Sequence, residues 1–108
     1  MDAKNIFIAC RYYKYRIKWE NKNVNEWSYI GVGDDFREEV ANETIRVFFS
    51  DPEIYLVVSK QQSFEIASNL AVPLIKELLV KTEVTLSNKE FSKMIVFNKI
   101  GVLKKGTR

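Results

Sequence analysis

At 108 residues, 46% hydrophobic and 13% aromatic, the chain has the length of one domain and the composition of a folded core, which excludes a two-core enzyme and a disordered tail. It has no histidine and one cysteine, so Ser-His and Cys-His nucleophile pairs, an intramolecular disulfide and nearly all zinc or iron–sulfur sites are excluded. The net charge of +3 conceals a polarity: residues 1–33 carry +3, residues 34–65 carry −5 and residues 66–108 carry +5. We expect a single domain spanning 1–108, with an acidic middle and basic flanks on separate surfaces.

The opening MDAKNIFIAC holds too short an apolar run for a signal peptide core. The longest uncharged stretch, residues 66–75, is about half of what a bilayer requires. A cytoplasmic protein with no membrane partner is expected, and Cys10 is expected to serve packing.

Residues 5–19, ending in CRYYKYRIKW, predict one long strand. Alternation places Tyr13, Tyr15, Ile17 and Trp19 on one face and Lys14, Arg16 and Lys18 on the other. A half-buried strand with its aromatics in the core accounts for that pattern. The cation row Lys14, Arg16 and Lys18 is the alternative nucleic-acid-binding candidate, through phosphate contacts, although bases stack best where rings and cations share a face. The asparagine-rich residues 20–25 predict a hairpin loop to a second strand over 26–32, antiparallel to the first.

Asp35 and Glu38 have capping-box spacing, predicting a short helix over 36–43 with acids in its first turn. The β-branched and aromatic runs around SDPE (50–53) predict a hairpin of strands at 44–49 and 54–59, with a helix through Phe48 as the alternative. The heptad-like apolar series from Phe64 to Leu79 predicts a long helix over 63–81, which Pro73 either kinks or restarts. Residues 83–86 predict a short strand. For the tail, SNKE (87–90) has helix-capping spacing, whereas MIVF (94–97) and IGVL (100–103) have strand composition, which we favour. The fold class expected is α+β: a mainly antiparallel sheet of four to six strands with the 63–81 helix packed on it.

GVGDDFR at 31–37 lacks the third glycine of a dinucleotide loop, and no Walker-type loop occurs. Asp34, Asp35, Glu38, Glu39 and Glu43 are close enough in sequence to invite Mg²⁺ or paired-carboxylate chemistry, but Glu39 and Glu43, one helical turn apart, fit a solvated or partner-facing surface better. No enzyme activity, cofactor or metal is expected. Seven acids between positions 34 and 53, against Arg37 and Arg46, suit electrostatic steering of a basic protein.

In size, lack of catalytic residues, mixed α/β pattern and the acidic stretch DDFREEVANE, the chain resembles the small bacterial immunity proteins of contact-dependent growth inhibition. The resemblance implies a protein-binding inhibitor that neutralises a cognate toxin, possibly a nuclease, by covering its active site. On that reading Asp34, Asp35, Glu38, Glu39 and Glu43 contact a basic toxin domain. The basic strand departs from a purely acidic inhibitor surface.

Overall fold

The computed structural model describes residues 1–20 and 28–108. In chain order it contains helix α1 (Ala3–Lys14), strands β1 (Lys18–Trp19) and β2 (Ser28–Tyr29), a 3-10 turn (Gly33–Asp35) and helix α2 (Glu38–Phe48). The hairpin β3 (Glu53–Val57) and β4 (Ser63–Ala67) leads through a 3-10 turn (Ser68–Leu70) into helix α3 (Ala71–Leu79). Three strands follow: β5 (Val84–Ser87), β6 (Lys93–Asn98) and β7 (Val102–Thr107). Every strand pairing is antiparallel. The order is β1-β7-β6-β5-β3-β4, with β2 also paired to β7, giving seven strands where four to six were expected.

The sheet is covered on both faces, and the alternation of its strands assigns each layer. Ile54, Leu56, Val84, Leu86, Ile95, Phe97 and Leu103 meet Ala41 and Ile45 of α2 and Val72, Ile75 and Leu79 of α3 in the larger core. Tyr55, Val57 and Met94 point the opposite way, to Ile6 and Cys10 of α1 and to Ile17. A column of rings fastens that second layer. Tyr13 of α1 stacks on Phe91 at 5.7 Å between centroids, and Phe91 stacks on Tyr55 at 5.5 Å. The Arg108 guanidinium lies over Tyr13 at 4.3 Å, closing the column from outside.

Residues 5–19 are therefore not a strand. Asp2 caps a helix by accepting from the Asn5 amide at 2.9 Å, Ile6, Cys10 and Tyr13, spaced by four and three, form its inward side, and Ile17 just beyond its end packs into the same cluster. Only Lys18 and Trp19 extend, and they pair with β7 and not with the second strand. The expected loop over 20–25, Glu20 apart, and the first two residues of the strand expected at 26–32 lie outside the described residues. Of that strand, Ser28 and Tyr29 pair with β7.

Two further boundaries differ. The run 44–48 belongs to α2, as in the alternative of a helix through Phe48, because Ala41 and Ile45 and the capping residue Phe49, at four-residue spacing, bury one side, outweighing β-branched composition. The long helix over 63–81 is instead a strand, a 3-10 turn and the nine-residue α3; among the described residues the longest helix is α1, at 12 residues. Phe64 and Ile66 alternate onto β3, and Pro73 sits in the first turn of α3, where its missing amide costs no hydrogen bond. Asp35 lies in the 3-10 turn and caps nothing, since Arg37 occupies the cap position of α2 without a side-chain bond.

Backbone hydrogen bonds tie the acidic turn to the far hairpin. The amides of Ile30 and Gly31 both donate to the Gly101 carbonyl, at 2.7 and 2.8 Å, and the Arg37 amide donates to the Ile30 carbonyl at 2.9 Å. Among the described residues no helix is long and apolar enough to cross a membrane.

Candidate functional site

The layering puts the first basic segment and the acidic one on opposite faces of the sheet, while Lys76, Lys93 and Lys105 of the second basic segment reach the α2 side. The basic N-terminal segment builds the α1 layer, and the acidic stretch forms the 3-10 turn and α2 on the opposite face.

On the acidic face, Asp34, Asp35, Glu38, Glu39 and Glu43 are all exposed. The structure does not gather them at one point. Glu38 turns to α3 and pairs with Lys76 at 3.3 Å. Asp34 and Asp35 sit on the 3-10 turn, and with Glu39 they have no ion pair among the described residues. Glu39 and Glu43 line a groove of about 570 Å³ with Asn42, Arg46 and Asp51. Asp51 was visible in the acidic run, but its place beside Glu43 depends on the turn into β3, which no local spacing encodes. Arg46 grips Glu43 at 2.6 Å, and this hydrogen bond, with the charge behind it, holds the Glu43 carboxyl below its ordinary range. On the neighbouring stripe of α2, outside the lining of the groove, Val40 and Val47, seven residues apart, are 47% and 67% exposed. Carboxylates around a concavity with bare valines at its margin can receive a cationic side chain and cover apolar area around it. Among the described residues no group of three His, Cys, Asp or Glu side chains is placed to hold a metal ion.

On the basic face, Lys14, Arg16 and Lys18 do not form the row that a strand would give. Lys14, at the end of α1, reaches inward to Glu83 at 3.1 Å and to the Thr85 hydroxyl at 3.2 Å. Arg16 folds back over the Tyr12 ring at 4.1 Å and donates to the Tyr12 carbonyl at 3.1 Å. Lys18 is exposed on β1. The helix makes a different cluster: Ile8, Arg11, Tyr12 and Tyr15 recur at three- and four-residue spacing on its outer side, with Tyr12 55% and Tyr15 83% exposed. A groove of about 410 Å³ runs along this side, and Phe7, Arg16 and Lys60 complete its lining. The signal that would have revealed it was the helical spacing itself, hidden beneath the period-two pattern.

A third concavity, of about 620 Å³, opens beneath the end of α1. Cys10 lines it, but burial pushes the thiol up to about 11, so it is protonated at neutral pH. No family model, curated protein or solved structure matches this chain.

Proposed function

We propose that the protein is a non-enzymatic inhibitor of the immunity type, which binds a basic toxin domain of bacterial origin in the cytoplasm and covers that toxin's active site. The observation that carries this reading is the groove beside α2, where Glu39, Glu43 and Asp51 stand against the single cation Arg46, with Val40 and Val47 exposed alongside. Unlike charge on the partner would be steered to this face, and the valines would supply apolar contact once water is expelled. The platform is stiff, because α2 is fixed to the sheet through Ala41 and Ile45, so little ordering would be required on binding.

The test is co-expression with the polypeptide encoded immediately upstream. Protection from growth arrest and a purified complex are expected, and the variant Glu39→Lys/Glu43→Lys/Asp51→Lys should bind at least about tenfold more weakly at low salt. Equal affinity of this variant, with its fold intact by circular dichroism, would remove the acidic groove from the interface.

A second reading, a nucleic-acid-binding module, is favoured by one observation: the helical geometry of α1 brings the exposed rings of Tyr12 and Tyr15 to the same side as Arg11 and Arg16. Stacking rings flanked by cations are what an unpaired strand requires. Fluorescence anisotropy with a single-stranded oligonucleotide should then show binding that weakens steeply with salt and drops at least about fivefold in Tyr15→Ala. Absence of binding at low salt ends this reading.

A further inference from the structure

The concavity beneath the end of α1 lies across the sheet from the acidic groove and adjoins the outer groove of α1, with which it shares Phe7, Arg11 and Tyr15. Its volume of about 620 Å³ falls in the range of small-molecule sites. Phe7, Tyr15 and Trp19 wall it, and Arg11, Lys14 and Lys104 bring three positive charges to it. Among the described residues Glu83 is the one carboxylate of the lining, and it is already engaged by Lys14. The lining thus carries a positive excess beside flat apolar surfaces.

Lys14 is the residue best placed to read an anion. Its side chain is 32% exposed, and it donates to Glu83 and to the Thr85 hydroxyl. An ammonium has three donors, so one remains for a ligand without breaking either bond. Thr85 is itself buried on β5, which fixes the depth of the ammonium. Trp19 is held by pairing with Gly106, and the Lys104 ammonium sits 4.6 Å from its ring centroid, so a ring laid in the pocket would meet an oriented aromatic wall next to positive charge.

We propose that this pocket binds a small organic anion in which a flat ring is joined to a phosphate, of the size class of a nucleoside monophosphate. The ring lies among Phe7, Tyr15 and Trp19, and the phosphate meets Lys14 and Arg11. Both parts are needed: a free ring lacks the partner for the cations, and inorganic phosphate lacks the apolar contact.

The experiment uses Trp19 as its own reporter. The chain has two tryptophans, so Trp27→Phe leaves Trp19 alone. Titration of this variant with phenyl phosphate and with AMP should change its emission saturably, while adenosine and inorganic phosphate at the same concentrations should do so at least about tenfold more weakly. Arg11→Glu, on the exposed rim of α1, should weaken phenyl phosphate binding by about tenfold or more. Glu43→Lys, across the sheet, should leave it unchanged. Calorimetry on the unsubstituted chain gives the same readout without relying on Trp27→Phe. Saturation by neither anion at millimolar concentration overturns the proposal, as does equal binding of adenosine and AMP, or indifference to Arg11→Glu. Because Glu43→Lys and Arg11→Glu lie on opposite faces, failure here is separable from failure of the inhibitor reading.

Discussion

Gly31→Ala is expected to destabilise the fold by about 3 kcal/mol, a fall of roughly 15 °C in melting temperature for a domain of this size. Gly31 has φ +83°, a region that L side chains rarely enter, and an added Cβ would overlap the Asp35 carbonyl. The second term is the larger, because the obstacle is backbone and not a movable side chain. Relief requires the 3-10 turn to swing outward, which loosens the two amide bonds from Ile30 and Gly31 to Gly101. The turn also carries Asp34 and Asp35, so the substitution displaces those two acids along with the backbone. Gly33→Ala is the control, since φ is +63° there but the space around it is open, and it should cost about 1 kcal/mol. Equal melting temperatures for the two variants would show that the overlap is relieved without moving the turn.

Asn88→Ala is expected to cost about the same, and to act on a helix it never touches. Asn88 is buried, and its Oδ1 accepts from the amides of Ser92 and Lys93 at 2.8 and 3.0 Å. Its Nδ2 donates to Glu90 and to the Ser92 hydroxyl. Alanine would leave two backbone amides without a partner, each costing about 1–3 kcal/mol where water cannot replace the bond. The bonds also hold Phe91 at φ 56°, which turns its ring between Tyr13 and Tyr55. Releasing the turn releases the ring, and with it the seat of α1. Hydrogen exchange should therefore quicken in α1 as well as in the β5–β6 turn, while α2 and α3 keep their protection. Unchanged exchange in α1 would mean that the ring column is not what holds it.

Asn88 also explains why a helix competed with the favoured strand reading of the tail. SNKE has the spacing of a helix cap, and the chemistry of a cap is present, a side-chain oxygen taking backbone amides. Here that chemistry closes a strand turn, because the residues that follow, MIVF, bury on alternating faces of a sheet. Strands β3, β5 and β6 were legible for the same reason: β-branched runs buried on both sides have few other solutions. Helix α1 was not, because residues 6–17 satisfy period two and period 3.6 together and only tertiary contact selects between them. At 63–79 a strand pattern runs into a helix pattern without a break in hydrophobicity, so the junction vanished. The exposed acids were readable as a surface, but the groove they share with Asp51 was not. The α1 cluster failed with the helix, since a wrong period moves every side chain to the wrong face.

The placement of β7 shapes how this chain has to fold. Strands β1 and β2 have no other sheet neighbour among the described residues, yet their partner lies some eighty positions downstream, at Val102–Thr107. Local hairpins can zip early, but that margin must wait for a contact across nearly the whole sequence, and loop closure of this kind is slow. Until it forms, β1 and β2 have no strand to pair with, so a nascent or thermally frayed molecule would first bare Trp19 and Tyr29.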